Sequence, residues 1–225
     1  MLDGQSEGSK RDAAWDHFCR TYWYPVYAFI RRRGVVAEDA RDLTQAFFAR
    51  LIEQDWLAQV RRREARFSTL LITILKNFLI KQHRRDVALK RGGGEHPVAL
   101  DLVQAEKWYG QEPATEDTLE RRFERRWAQA VMDAALTRLK EECDATGKGQ
   151  VFAILSPYLS REASAGDYEQ AATQLGISSR SVPVAVHRLR ADFRAMVREE
   201  VAAGLPDDQA LVAEEMRALA AALTS

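Results

Sequence analysis

An all-α fold, two small helical bundles joined by an acidic linker, is predicted by three observations. Apolar residues recur at steps of three and four through the long segments, which places them on one face of a helix. No strand pattern with a period of two, and no internal repeat, stands out. Between the two sets of helical patterns, Gly92, Gly93 and Gly94, then Pro97 and Pro113, break the periodicity for about 25 residues.

Charge says more by its distribution than by its sum. The 225 residues carry 33 Lys plus Arg and 33 Asp plus Glu, so net charge neither favours nor excludes a nucleic-acid partner. Residues 61–91, however, hold ten basic residues against two acids, and residues 93–120 hold seven acids against one Lys. No apolar run approaches the roughly 18 residues of a membrane span. The opening MLDGQSEGSK lacks the apolar core of a signal peptide, so a soluble cytoplasmic protein without membrane association is expected. Cys19 and Cys143 lie far apart within helical apolar patterns and are expected as reduced core thiols. His17, His83, His96 and His187 fall in different segments, and His17 and Cys19 point to different sides of one helix. No catalytic constellation, metal site or cofactor is expected.

In chain order, Trp15, Phe18, Tyr22, Val26 and Phe29 form an aromatic stripe at helical spacing. Pro25 pushes Tyr24 away from α geometry, which predicts two tandem helices, the second opening at Pro25 and ending at Gly34. Core packing explains these aromatics. A helix over 37–54 turns Ala40, Leu43, Phe47 and Leu51 inward and shows Glu38, Asp39, Asp42 and Gln45 outward. Those early acids also complement the positive end of the helix dipole. Residues 59–68 (QVRRREARFS) read as a basic connector. They lead into a helix over 69–89 with Leu70, Leu71, Ile74, Leu75, Phe78 and Leu79 on its apolar face. Lys76, Asn77, Lys81, His83, Arg84 and Arg85 lie on the remaining surface. Cations beside an amide suit a nucleic-acid strand, and an ordinary solvated face fits equally well.

After the linker, in which Leu100 to Tyr109 can form a short helix, periodicity resumes at Leu119 and continues through Phe123, Trp127, Val131, Ala134, Ala135 and Leu139 to Gly147. A shorter helix follows over 152–159. Residues 166–197 then carry two helical patterns meeting at Gly176, where a residue free to take positive φ suits the reversal. Ala171 and Ala172 allow close helix crossing, and Ser178 or Ser179 offers an N-cap oxygen. In the second pattern Val182, Val186, Leu189 and Phe193 form one stripe, while Arg180, His187, Arg188, Arg190 and Arg194 occupy the other faces. These are the parts of a helix-turn-helix, whose second helix enters the DNA major groove. A last amphipathic helix over 209–223, with Leu211, Val212, Met216, Leu219 and Leu223 on one face, is expected to cap the second domain or to regulate access to its partners.

The order of these parts resembles RNA polymerase sigma factors of the extracytoplasmic-function (ECF) type, which keep only the sigma-2 and sigma-4 domains. The match rests on Asp39-Ala-Arg-Asp42-Leu-Thr-Gln45-Ala-Phe-Phe48 and on Phe67-Ser-Thr-Leu-Leu-Ile-Thr-Ile-Leu-Lys-Asn77, continuing through Ile80 to Arg84-Arg85. In the second half it rests on Tyr168-Glu-Gln-Ala171-Ala172, Leu175-Gly-Ile-Ser and Val182 to Arg190. The resemblance implies a sigma-2-like domain at 12–91, an acidic linker at 92–118, a sigma-4-like domain at 119–203 and a C-terminal extension at 204–225.

It also implies roles. Asp39, Asp42, Gln45 and an exposed Phe48 would dock on the β′ subunit of core polymerase, with β as a further partner subunit. Arg63, Arg66, Phe67, Lys76, Asn77, Lys81 and Arg84 would hold the opened −10 strand, cations on phosphates and flat groups on bases. Arg180, Ser181, Pro183, Val184, His187, Arg188 and Arg190 would face the −35 element. The acidic linker would occupy the polymerase cleft and RNA exit path, and a plain spacer is the alternative. Two departures stand out. Arg41 replaces the usual acid between Ala40 and Asp42, and phosphorylation of Thr44 by a kinase would restore negative charge there. Pro183 replaces a usual cation, and Val184 and Ala185 are apolar where many relatives are polar. The sequence names no promoter and no anti-sigma factor. An operator-binding helix-turn-helix regulator, and a degenerate sigma-like protein that binds polymerase without promoter activity, are the alternative readings.

Overall fold

The computed structural model describes the backbone of residues 3–54, 56, 66–88, 102–110, 117–203, 205 and 209–224, and their side chains from residue 15 on except 84–88 and 102. Among these residues there are nine α-helices and no strand, which is the expected all-α class. We label them α1 (Asp3–Arg31), α2 (Ala37–Glu53), α3 (Phe67–Ala88), α4 (Leu102–Gly110), α5 (Leu119–Ala145), α6 (Gly149–Leu155), α7 (Asp167–Leu175), α8 (Val182–Ala203) and α9 (Gln209–Thr224).

The chain divides into two compact units, Met1–Ala130 with Val201–Ser225, and Val131–Glu200. The division departs from the expected boundaries at both ends of the second domain. At Leu119 the reason is aromatic: Phe123 and Trp127 of α5 are buried in the first unit. Phe123 meets Phe29 edge-on at 6.1 Å, and the Trp127 indole N–H donates to the Tyr22 hydroxyl at 2.6 Å. At the C-terminus, α9 buries Val212, Glu215, Leu219 and Ala222 and belongs to the first unit. Its expected role as a cap on the second domain is thereby corrected.

The first unit is organised around α1. Trp15, Phe18, Tyr22, Trp23, Val26, Tyr27, Phe29 and Ile30 are all buried along it. Burying each such side chain stabilises by about 1.5–3 kcal/mol. That is enough to carry one helix through Pro25, where two tandem helices were expected. The proline removes one intrahelical hydrogen bond, at a cost of about 3 kcal/mol, and the buried residues on both sides outweigh it. Gly34, at φ 84°, ends this segment as expected. The free thiol of Cys19 is buried, and desolvation pushes its pKa up to about 11.

Within the acidic segment, α4 docks on the first unit through Glu106. Its carboxylate accepts from Arg31 Nε at 2.7 Å and Nη2 at 2.9 Å, and the Tyr27 hydroxyl also donates to it. Arg31 holds the Glu106 pKa below the ordinary range. The Arg31 and Arg32 guanidinium groups lie over the Tyr109 ring at 4.7 and 5.1 Å. A short helix in the linker was expected; its attachment to α1 was not.

The second unit packs Leu139, Cys143, Phe152, Leu155, Tyr158, Ala171, Ala172, Val182, Val186 and Leu189 into one core. The helix expected over 152–159 divides into α6 and a 3₁₀ turn, Ser156–Leu159, with Pro157 in its first turn.

Candidate nucleic-acid and polymerase interfaces

The helix-turn-helix is formed by α7, a turn and α8. Gly176 takes φ 65° and ψ 31°, and the Ile177 N–H donates to the Ala172 carbonyl at 3.1 Å, closing α7 with a left-handed residue. Ser178 is the N-cap, its Oγ accepting from the Arg180 N–H at 3.3 Å. A 3₁₀ turn, Ser179–Ser181, precedes α8, so Pro183 is the second residue of that helix. Its missing N–H falls among the first four, which have no intrahelical acceptor in any helix. The proline is therefore compatible with the recognition helix.

Side chains on α8 separate cleanly. Val182, Val186 and Leu189 are buried, and Phe193 is half-buried against the same core. Pro183, Val184, His187, Arg188 and Arg194 are exposed, as are Arg180 and Ser181 of the preceding 3₁₀ turn. Two expectations change. Arg190 turns away from the exposed set: its Nε donates to the Tyr158 carbonyl at 2.9 Å and its Nη2 to the Arg161 carbonyl at 3.1 Å. Ala185 packs partly against the core rather than facing outward.

The acidic edge of α2 is only partly as expected. Asp39 and Asp42 are exposed and Gln45 is half-buried. Phe48 is not exposed: at 2% accessibility it packs edge-on against Phe18 at 5.8 Å and Phe47 at 5.7 Å, so it has no surface to offer a partner. Arg41 folds against its neighbour, with Nη2 3.2 Å from the Asp42 carboxylate, and screens part of that charge. Thr44 is fully buried and donates its hydroxyl to the Ala40 carbonyl at 2.7 Å. A kinase cannot reach it in the folded chain, which corrects the expectation of phosphorylation there.

On α3, Asn77 and Lys81 are exposed one turn apart, and Thr73 and Ile80 share their surface. Lys76 is half-buried and paired with Glu120, whose pKa it holds down. Arg66 is exposed immediately before the helix. Phe67 is fully buried, in contact with the rings of Phe18, Tyr22 and Trp56, so it cannot stack on a base. Arg63 and the Arg84 side chain lie outside the described residues. No group of three or more His, Cys, Asp or Glu that could hold a metal occurs among the described residues. None of the described helices is long and apolar enough to cross a membrane.

A helix-turn-helix in one compact unit and an acid-edged helix in the other define an all-helical regulator of transcription. The chain belongs to the ECF sigma factor family, whose model matches residues 29–199, more than half of its length. Its place is accordingly in transcription initiation, with RNA polymerase and promoter DNA as partners, in a family of DNA-binding regulators rather than enzymes. No curated protein and no solved structure matches the chain.

Proposed function

We propose that the protein binds core RNA polymerase through the exposed acids Asp39 and Asp42 with Gln45, reads the −35 element with α8, and opens the −10 element with α3. In this reading the first unit does the work of a sigma-2 domain and the second that of a sigma-4 domain. The observation that carries it is the division of α8, with Val182, Val186 and Leu189 buried and His187 and Arg188 exposed, on a helix that follows a tight glycine turn and an exposed Arg180. Arg188 and Arg180 supply the cations for guanine or phosphate. Asn77 and Lys81 pair an amide that can reach a base edge with a cation for the backbone.

A second reading, a sigma-like protein that binds polymerase without directing initiation, draws support from Arg41 screening Asp42 and from the rigid apolar surface of Pro183 and Val184. Run-off transcription with purified core polymerase decides between them. Promoter-specific transcript that Asn77→Ala abolishes is the expected result. Core binding without transcript establishes the second reading, and specific duplex binding in the absence of core identifies an operator-binding regulator instead.

A further inference from the structure

Among the described residues, no side chain next to the start of α3 caps it. The residue before it is Arg66, whose guanidinium has only donors and cannot accept from the free N–H groups of the first turn. Of the two hydroxyl residues in that turn, Thr69 is exposed, and Ser68 is buried with no partner for its Oγ. The acceptor comes from 148 residues away, where Glu215 of α9 takes the Phe67 N–H. Glu215 is fully buried, and its second oxygen has no partner. A buried carboxylate with one oxygen unpaired is costly to keep. The other buried residues of α9, Val212, Leu219 and Ala222, are all apolar.

We propose that Glu215 is a positioning residue for promoter opening: from the C-terminal helix it caps α3 and holds Arg66 and the first turn in place at the head of the helix that carries Asn77. This role rests on the reading of α3 as the −10 helix. Arg66 is the right residue to be held. It is exposed, it immediately precedes the capped N–H, and its charge acts on the Glu215 carboxyl. The extension thereby becomes a working part of the first unit, linking residues at opposite ends of the sequence.

The test compares Glu215→Ala, which removes the acceptor, with Glu215→Gln, whose amide oxygen keeps it. Holoenzyme is assembled with each full-length variant, and permanganate reactivity of −10 thymines reports opening. Loss of a helix cap should reduce opening about tenfold for Glu215→Ala, with Glu215→Gln near the parent and core binding unchanged. Hydrogen exchange on the free chain gives an independent readout. Amides at 67–70 should exchange about tenfold faster in Glu215→Ala and recover in Glu215→Gln. If Glu215→Ala does not fold, Glu215→Asp, which withdraws the carboxylate by one methylene, takes its place against Glu215→Gln. Opening equal to the parent in the variant without a cap overturns the proposal. So does equal impairment of that variant and Glu215→Gln with faster exchange throughout the first unit, because Glu215 is then only a core residue. If the parent opens no promoter, the initiation reading fails and this role with it, while exchange at 67–70 still decides the cap.

Discussion

Glu215 also sets a pH dependence that can be measured without polymerase. Desolvation raises its pKa from 4.5 to about 7, with Glu214 on its own helix and Glu124 on α5 pushing the same way. The Phe67 N–H and Arg66 oppose the rise. Tyr22 on α1 also faces it, and its pKa is raised, chiefly by burial and further by Glu215. A carboxyl with a raised folded pKa contributes stability that is fully present below its unfolded value and lost as pH rises through the folded one. The chain should therefore lose on the order of 3 kcal/mol between about pH 4.5 and 7 from this group. Thermal melts across that window should slope downward for the parent and much less for Glu215→Gln; parallel profiles would mean that the carboxyl is not buried. Thr44 gives a second prediction. Thr44→Glu forces a charge into a site with no partner and should cost about 3 kcal/mol or more, whereas Thr44→Val should cost about 1 kcal/mol through the lost bond to Ala40. Chemical denaturation measures both. Single residues were the least legible scale. Phe47 and Phe48 are adjacent, and a helical period lets only one of them face a narrow core. The aromatic cluster around Phe18 is wide enough to take both.

At the scale of elements, periodicity and punctuation located most helices to within a residue or two. The helix-turn-helix was the clearest, since its buried stripe, Gly176 and its capping serine all point to one geometry. Pro25 does not divide α1: its local penalty is visible in the sequence, and the burial that offsets it is not. The two exceptional residues of the second unit should respond differently to substitution. Gly176 sits at φ 65° with open space around its Cα, so Gly176→Ala meets no clash and pays only for the left-handed backbone, about 1 kcal/mol. Pro183→Ala restores an N–H that has no intrahelical acceptor, so stability should move by less than about 0.5 kcal/mol. Denaturation midpoints for the two variants check the ordering, and a larger loss from Pro183→Ala would place the start of α8 elsewhere.

The whole molecule depends on contacts that local patterns cannot carry. The sequence marked 204–225 as a separate amphipathic helix, but an apolar face does not say which core it covers. That choice was made by Glu215 reaching Phe67 and by Val212, Leu219 and Ala222 going inward with it. The same limit hid the attachment of α4 through Glu106 and Arg31, 75 residues apart. A deletion tests the consequence. Removing 204–225 uncovers apolar surface on the first unit and leaves the α3 N-terminus without its acceptor. At about 1.5–3 kcal/mol for each of the two larger apolar side chains, Val212 and Leu219, and about 1 kcal/mol for the cap, the loss is several kcal/mol. A small domain has only about 5–15 kcal/mol in total. The truncated chain should therefore show early loss of the near-ultraviolet signal from the tryptophans, four of which (Trp15, Trp23, Trp56 and Trp127) are buried in the first unit. Hydrogen exchange in 131–200 should stay close to that of the parent, because that unit has its own core. Uniform destabilisation of both units, or none, would show that α9 does not belong to the first.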